Sequence, residues 1–216
     1  MISIKNLNKK YGQKTVYENF NLDIEDGKIT VILGESGSGK TTLLSILAGL
    51  TDYSGEISGE LSPVSMVFQN NRLVDNLTVE ENLKLVNESV NVKNALEEIG
   101  LSDYAKAYPN KLSAGMKRRV AVQRALIYPS KVLLMDEPLI NLDLALKFSL
   151  MDLIKKNHEV SPRTTVFVTH DLKEAVYIAD RIIVLKKGQV VYDNSRINEK
   201  TESELFGLMI SLGEKL

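Results

Sequence analysis

The most informative absences in this sequence concern metal sites and membrane spans. The 216 residues include no cysteine and only two histidines, which excludes a disulfide framework and a thiolate metal site and leaves too few histidines for a histidine-based one. No apolar run approaches the ~18–20 residues that cross a bilayer, and the N-terminus lacks the apolar core of a signal peptide. If the protein acts at a membrane, another chain therefore supplies the membrane part.

Neither sign of charge dominates the composition. The formal net charge is −1, with 27 basic and 28 acidic side chains, so no global field favours nucleic acid or an anionic membrane surface. We therefore expect no nucleic-acid partner. The 44% of hydrophobic residues is ordinary, and a chain of this length can bury the core of one large domain or of two small lobes. The absence of cysteine fits a cytoplasmic protein.

Residues 34–42, with the sequence GESGSGKTT, are the strongest positive signal. They lie between the apolar run Ile29–Leu33 and apolar positions at helical spacing in residues 43–47. This is the strand–loop–helix context in which the pattern G-x-x-x-x-G-K-[ST] binds nucleotide phosphates; the alternative is a glycine-rich turn that merely caps a helix. The candidate phosphate-binding residues are Gly34, Glu35, Ser36, Gly37, Ser38, Gly39, Lys40, Thr41 and Thr42.

The residue types in this loop have distinct tasks. Its glycines let backbone N–H groups curl around phosphate oxygens that side chains would obstruct. The helix that begins near Lys40 adds free N–H groups and the positive end of its dipole. Lys40 is placed to contact the β- and γ-phosphates, and the Thr41 hydroxyl is placed to bind Mg²⁺. The loop therefore predicts a nucleoside triphosphate with Mg²⁺ as the ligand.

A second signal is the apolar run 132–135, which ends in Asp136 and Glu137. A continuously apolar strand is typical of a sheet buried on both faces, and ligands of open α/β folds bind at the carboxyl ends of such strands. Asp136 can hold Mg²⁺, and Glu137 can polarise an attacking water. The alternative is a strand that ends at charged residues on reaching solvent, but the phosphate loop upstream favours the metal-and-base interpretation.

A third signal is the segment LSAGMKRRVAVQRAL, which contains Ser113 and Gly115. Ser113 is a favourable helix N-cap, and Gly115 leaves the next N–H groups uncovered. The long helix that follows them has the positive end of its dipole at this N-terminus. The segment therefore predicts a second anion site. Its alternative is a capped amphipathic helix whose Lys117, Arg118 and Arg119 are solvated.

The order of segments predicts an α/β fold. We expect a phosphate-loop NTPase core of mostly parallel strands with helices, an antiparallel β layer within residues 2–33, and an inserted helical subdomain at about 76–128. The core and β layer would comprise 1–75 and 129–216, and the whole chain, 1–216, would form a single domain with no regulatory domain after it. The tail, through Leu212, has the spacing of a packing helix.

Taken together, these motifs resemble the nucleotide-binding subunit of an ATP-binding-cassette (ABC) transporter over the full length of the chain. LSAGM is similar to the LSGGQ signature of that family. Tyr11 matches the aromatic residue that stacks on adenine, and Gln69 matches the loop glutamine that touches Mg²⁺ and faces the membrane partner. Asp143, in Asn-Leu-Asp, matches the D-loop, and His170 matches the switch histidine. None of these four positions is specific alone, but their order and context are.

The resemblance implies a mechanism and a set of partners. In this family two such domains sandwich two ATP molecules head to tail, so Ser113 and Gly115 would contact ATP held by a second copy or by a related ATPase subunit. Glu137 would act as general base, with His170 as its partner at the γ-phosphate. Transmembrane permease subunits would bind near Gln69, which places the protein in the cytoplasm on the inner face of the cell membrane.

The transported solute and the direction of transport stay open at this stage. Ala114, Met116 and Ile140 depart from the residues usual in the family. Methionine after the signature glycine resembles importers of nitrate, sulfonates and taurine, which slightly favours an importer. The alternatives are a small exporter-type ABC ATPase and a soluble ABC ATPase of DNA repair or translation, whose usual coiled-coil insertion or second cassette is not visible. A phosphate-loop kinase or GTPase would leave the signature and His170 without a purpose.

Overall fold

The computed structural model describes residues 1–211, so Leu212 of the predicted tail helix lies outside the described residues. The strands are β1 (Ile2–Tyr11), β2 (Lys14–Ile24), β3 (Ile29–Leu33), β4 (Ser54–Ser58), β5 (Val64–Val67), β6 (Val132–Asp136), β7 (Thr164–Val168), β8 (Arg181–Lys186) and β9 (Gln189–Asn194). The helices are α1 (Lys40–Leu47), α2 (Val79–Lys84), α3 (Val92–Glu98), α4 (Ala114–Ile127), α5 (Leu144–Val160), α6 (Leu172–Ile178) and α7 (Thr201–Ser211). Within this range no helix is both long and apolar enough to cross a bilayer.

A six-stranded sheet forms the centre of the molecule, with the order β5-β6-β7-β3-β8-β9. Neighbouring strands from β5 to β8 are parallel, and the β8–β9 hairpin adds the one antiparallel pair of this sheet. Every residue of β3, β6 and β7 is buried, because both faces of the sheet are covered. The predicted α/β fold class is confirmed.

The two faces of this sheet belong to different hydrophobic cores. On one face Ile32 packs with α1 and with the antiparallel strands β1 and β2. On the other face Val31 and Leu33 pack with the helices α2 to α7. Because successive side chains of a strand point to opposite faces, the apolar runs in β3, β6 and β7 serve both cores at once.

The antiparallel layer has three strands in the order β2-β1-β4. The third strand, β4, follows α1 and was not predicted. β1 continues through Tyr11, which pairs with Lys14 at the start of β2, so the connecting turn comprises only residues 12 and 13. This pairing places the β1–β2 turn where it can reach the phosphate loop.

The helices α2 to α4 lie between β5 and β6 in the chain, within the segment predicted to be helical. Thr78 and Glu81 form a reciprocal capping box at the start of α2, and Asn91 caps α3. Ser113 caps α4, as expected from its side chain. Local capping residues therefore mark where each of these three helices begins.

The β8–β9 hairpin packs directly against the phosphate loop. The Gly188 N–H donates to the Ser38 carbonyl over 3.1 Å, and a Cβ on Gly188 would lie 2.1 Å from the Val16 carbonyl oxygen. A Cβ on Gly34 would lie 2.2 Å from the carbonyl oxygen of Leu185. Only glycine permits these approaches, so the loop and the hairpin hold each other in place.

This close approach predicts a difference between two glycine substitutions. Gly12 and Gly188 both have a positive φ, of 57° and 73°, but a Cβ on Gly12 meets nothing within 4 Å. Gly12→Ala should lower the free energy of unfolding by ~1–2 kcal/mol, because alanine is strained at positive φ. Gly188→Ala should lower it by a further ~1–3 kcal/mol, because its methyl group clashes with backbone. Urea unfolding measures both, and equal losses would contradict the packing described.

Candidate functional site

Several predicted site residues lie at the carboxyl ends of four parallel strands, at one edge of the large sheet. β3 leads into the phosphate loop, and β6 ends at Asp136. β7 leads to His170 and β5 leads to Gln69. Since these strands are adjacent and parallel, their carboxyl ends meet at the same edge, where ligands of open α/β sheets bind.

A cavity of about 760 Å³ lies at this edge and collects most of the predicted residues. Those that line it are Tyr11, Gly34, Glu35, Ser36, Gly37, Gly39, Lys40, Thr41, Thr42, Gln69, Asp136, Glu137 and His170. Lys14, Val16 and Met209 also line it and were not predicted. Ser38 does not line it; its side chain is buried. Lys14 follows Tyr11 by three residues within the segment predicted to form the antiparallel layer, and this proximity is the signal that could have indicated Lys14.

The backbone of the phosphate loop depends on its glycines. Gly34, Gly37 and Gly39 have φ values of 146°, 84° and 111°, which side-chain-bearing residues rarely adopt. Helix α1 begins directly after Gly39 without a side-chain cap, so its first N–H groups are left for another acceptor. The Lys40 side chain is buried, and its Nζ donates to the carbonyl oxygens of Gly34 and Glu35 over 2.5 and 2.8 Å. The loop therefore combines a fixed cation with N–H groups available to an anion.

Asp136 is a buried carboxylate beside this loop, with only 2% of its surface exposed. Thr41 Oγ1 donates to Asp136 Oδ1 over 3.2 Å. Burial raises the pKa of Asp136, and the hydrogen bond from Thr41 opposes that shift. No ion pair among residues 1–211 involves Asp136.

The oxygen atoms around Asp136 fit a hard divalent cation. A hydroxyl from Thr41, a carboxylate from Asp136 and an amide from Gln69 share the cavity, and oxygen is the donor that Mg²⁺ prefers. No cluster of three or more His, Cys, Asp or Glu that could hold a metal occurs within the described residues. Magnesium sites built from one or two carboxylates, water and substrate phosphates need no such cluster.

Glu137 and His170 form a pair at the same edge. His170 Nδ1 lies 2.7 Å from Glu137 Oε2. Glu137 has a positive φ of 48°, an uncommon conformation for a residue with a side chain, and its N–H donates to the Val168 carbonyl over 3.0 Å. The Glu137 side chain is 16% exposed and that of His170 is 64% exposed, so the carboxylate is held inside while the imidazole lies at the rim.

A polar network behind His170 fixes the turn on which it lies. Thr169 Oγ1 donates to Glu174 Oε2 over 2.6 Å, and Lys147 Nζ bridges Glu174 Oε1 at 2.6 Å and Asp171 Oδ2 at 3.1 Å. Lys147 belongs to α5, whereas Asp171 and Glu174 belong to the start of α6. Lys147 was not predicted from the sequence, because nothing local shows that its partners come from another helix.

Tyr11 also lines the cavity and is 50% exposed. One face of its ring is occupied by Lys9, whose Nζ lies 4.6 Å from the ring centroid. Lys9 is in turn held by Thr51 and Asp52, each at 2.9 Å. The cation–π contact thus orients the tyrosine ring at the mouth of the cavity.

The second predicted anion site does not line this cavity. Ser113 accepts a hydrogen bond from the Met116 N–H over 3.2 Å, and a Cβ on Gly115 would lie 3.3 Å from Leu142 Cδ2. Asp143 caps α5 by accepting from the Leu146 N–H over 3.0 Å. The signature and the Asn-Leu-Asp segment are therefore neighbours, and one chain does not bring Ser113, Gly115 or Asp143 to its own phosphate loop.

Comparison with known proteins identifies the family. The family model described as ABC transporter matches residues 17–140, which include the phosphate loop, the signature and Glu137. The chain belongs to the ABC transporter family. The resemblance inferred from the motifs is thereby confirmed.

Three curated relatives illustrate this similarity. The spermidine/putrescine import ATP-binding protein PotA of Pasteurella multocida is 40% identical over 215 residues, covering 90% of this chain and 58% of that protein. The aliphatic sulfonates import ATP-binding protein SsuB 1 of Paracoccus denitrificans is 40% identical, with 89% and 82% covered. The Fe(3+) ions import ATP-binding protein FbpC of Fusobacterium nucleatum is 39% identical, with 88% and 56% covered. This chain thus spans little more than half the length of the PotA and FbpC relatives.

Solved structures agree with the fold assignment. An ATP-binding cassette described as a dimer in a post-hydrolysis state with ADP and Pi has a TM-score of 0.81 and 31% identity, covering 90% of this chain and 98% of that one. A second structure, described as a dimeric bacterial ABC transporter cassette, has a TM-score of 0.80 and 33% identity, with the same coverage. The architecture described above is that of an ABC cassette.

Two carboxylates, the buried Asp136 and the partly exposed Asp171, predict substitutions with opposite effects on stability. Burial raises the pKa of Asp136, so its charged form is destabilising above that pKa. Asp136→Asn should therefore raise the free energy of unfolding at neutral pH in the presence of a chelator. Burial also favours a higher pKa for Asp171. Hydrogen bonds from Lys147 and from the Glu174 and Lys173 N–H groups outweigh this effect, so the pKa of Asp171 is lowered. Asp171→Asn should therefore be destabilising.

Denaturant unfolding at several pH values checks both signs. The stabilisation by Asp171 should be fully present above its unfolded pKa of about 3.9 and be lost as the pH falls below it. The destabilisation by Asp136 should instead disappear as the pH falls through its raised folded pKa. Changes of the same sign in the two variants at pH 7 would contradict the electrostatics described here.

Proposed function

We propose that this chain is the ATP-binding and ATP-hydrolysing subunit of an ABC transporter, which powers solute transport through separate transmembrane permease subunits. The observation that carries the proposal is the convergence of Lys40, Asp136, Glu137 and His170 on one cavity at the carboxyl edge of the sheet. Under this proposal residues 1–216 are one ABC ATPase domain, with a core and β layer in 1–75 and 129–216 and a helical signature subdomain at about 76–128.

Of the transport functions, we favour import. Three relatives that match about nine-tenths of this chain are named as import ATP-binding proteins, for polyamines, Fe(3+) and sulfonates. No feature of the described residues favours the exporter-type or the soluble non-transport ATPase. The subunit would lie on the cytoplasmic face of the membrane, attached through its permease partners. Mass spectrometry of membrane chains that co-purify with it, followed by transport assays of the complex, tests this part of the proposal.

Nucleotide binding follows from the phosphate loop and from Tyr11. The loop N–H groups and the N-terminus of α1 would hold the phosphates, with Lys40 at the β- and γ-positions. Residues 34–42 supply these contacts together. Tyr11 would stack on adenine with the ring face that Lys9 leaves free, a contact typically worth ~1–3 kcal/mol. Stacking is tolerant of base identity, so GTP should also bind.

Magnesium would be held by Thr41, Gln69 and Asp136. Bound there, the ion would neutralise part of the phosphate charge. The hydrogen bond between Thr41 and Asp136 holds two of these oxygen ligands together before any ion is bound. The burial that raises the pKa of Asp136 also makes a cation beside it more stabilising than one in water would be.

Hydrolysis would use Glu137 as general base. Its carboxylate accepts a proton from the water that attacks the γ-phosphate, while Gln69 helps to orient that water. His170 Nδ1 lies 2.7 Å from Glu137 Oε2 and would hold the carboxylate in position. The network through Thr169, Glu174 and Lys147 keeps His170 at the rim of the cavity, where a γ-phosphate would lie.

Dimerisation would complete each site. Ser113, Gly115 and Asp143 do not line the cavity of their own chain, yet Ser113 begins a long helix whose N-terminus suits an anion. We infer that they act on ATP held by a second copy or by a related ATPase subunit. The two similar cassettes described as dimers support this arrangement.

The role of Glu137 predicts a separation of binding from hydrolysis. Glu137→Gln preserves shape but removes the base, so the ATPase rate should fall by about 10²–10⁴-fold. ATP binding should persist, because the phosphate contacts lie elsewhere. Equilibrium binding of ATP and single-turnover hydrolysis measure the two quantities. Loss of both together would mean that Glu137 is structural.

The proposed dimer predicts complementation between two inactive variants. Lys40→Ala removes the phosphate-binding cation, and Ser113→Phe should block the surface that meets the partner's nucleotide. Each homodimer then carries two defective sites, whereas the mixed dimer gathers both defects at one site and leaves the other whole. Equal mixing should restore roughly a quarter of the wild-type ATPase rate, because half of randomly paired dimers are mixed and each has one whole site.

The control for this experiment is the formation of the mixed dimer itself, measured with two differently tagged chains. Each variant alone should stay inactive at every concentration. If the mixed dimer forms and no ratio of the two chains restores activity, Ser113 does not act in trans on an independently working site.

A further inference from the structure

Arg118 is a buried cation for which the proposed mechanism has no role. It lies in α4 with only 4% of its surface exposed, so the alternative in which this arginine is solvated is wrong. Its Nη1 donates to the Phe68 carbonyl over 2.7 Å, and its Nη2 donates to the Gln69 carbonyl. The ion pairs found within residues 1–211 do not include it. The planar guanidinium therefore donates hydrogen bonds to two successive carbonyls of one loop.

The same loop is attached to the helical segment at a second point. Arg124, also in α4, donates from Nη2 to the Arg72 carbonyl over 2.7 Å and from Nη1 to Asn82 Oδ1 over 3.2 Å. Asn82 is fully buried and bonds both the N–H and the carbonyl of Val74, at 2.8 and 3.1 Å. Residues 68–74, which follow β5 in the chain, are thus held by helices α2 and α4.

We propose that Arg118 is a positioning residue that makes the Gln69 backbone follow helix α4. Ser113 caps the start of this helix, about 7.5 Å along the axis from Arg118 at 1.5 Å per residue. A displacement of that end of α4 would therefore carry the Gln69 carbonyl with it. The attachment stands on the contacts alone; its consequence for the metal rests on the proposed function, in which Gln69 is a ligand.

Lysine is the most informative replacement for Arg118. The negative charges of Asp136 and Glu137 favour a cation at this position, while burial disfavours it. Lysine keeps that charge but cannot hold two carbonyls in the fork geometry of a guanidinium. The neighbouring Arg119 provides a matched control, because its Nη1 donates to the Ile99 carbonyl over 2.6 Å and not to the loop.

Carbonyl ¹³C NMR shifts of the nucleotide-free protein test the attachment, because a carbonyl resonance moves upfield when a hydrogen bond to its oxygen is lost. In Arg118→Lys, the resonance of the Phe68 or the Gln69 carbonyl, or of both, should move upfield, because lysine cannot hold both oxygens. Arg119→Lys should leave both resonances unchanged. Unchanged Phe68 and Gln69 carbonyl shifts in Arg118→Lys, or changes spread evenly over the whole chain, would overturn the proposal. Arg118→Gln, which keeps a donor but not the fork, should give an intermediate effect.

Magnesium titration tests the consequence for the site. ATP binding is followed in the Glu137→Gln background, which removes turnover from the measurement. Arg118→Lys should raise the Mg²⁺ concentration at half-saturation by about 10-fold, the lower end for a group that orients a metal ligand. In a chain that also carries Gln69→Ala, Arg118→Lys should not raise this Mg²⁺ concentration further, because the ligand that Arg118 positions is gone.

The two tests separate the two proposals. Equal effects of Arg118→Lys with and without Gln69 would show that the arginine does not act through Gln69, which overturns the positioning role. If the unmodified chain shows no Mg²⁺-dependent ATP binding, the proposed function fails. The carbonyl NMR experiment still decides in that case whether Arg118 holds the loop.

Discussion

Parallel pairing of β5, β6, β7 and β3 is the constraint on which the whole site depends. Adjacent strands lie ~4.8 Å apart, so groups that follow their carboxyl ends come within hydrogen-bond distance whatever their separation in the chain. Glu137 meets His170 for this reason, because β6 and β7 are adjacent. Thr41 follows β3, two strands away from β6, and reaches Asp136 across the end of β7 because the phosphate loop and the start of α1 extend over this edge. Burial of both faces of the sheet keeps the strands in register, because a slip would expose apolar side chains of two cores at once.

Residues outside the motifs give the site its rigidity. The β8–β9 hairpin meets the phosphate loop at contacts that only glycine allows, and the buried Tyr17 hydroxyl donates to the Gly39 carbonyl over 2.9 Å. Lys147 and Glu174 secure the turn before α6, while Lys9 holds the ring of Tyr11. Such supporting contacts fix the geometry of groups that must meet a phosphate or a metal.

Helix α4 connects features that the sheet does not. It begins at Ser113, next to Leu142 of the neighbouring segment, and in its second turn Arg118 grips the loop that leaves β5. Helix α4 therefore connects its own N-terminus, which suits an anion, to the Gln69 side of the cavity, although no residue of the helix lines that cavity. Because a helix moves as a unit, contacts made at its N-terminus can reach Gln69 without any change in the sheet.

By itself, the sequence determined the phosphate loop, the strand-end carboxylates, the capped start of α4 and the α/β class, because these depend on local features: glycine positions, apolar runs and capping residues. It was enough to indicate the family. Only the tertiary structure decided that Arg118 is buried rather than solvated, that Lys14, Val16 and Met209 line the cavity, and that Ser113 lies outside it. The physical reason is that burial and hydrogen-bond partners are set by elements distant in the chain, which no local pattern records.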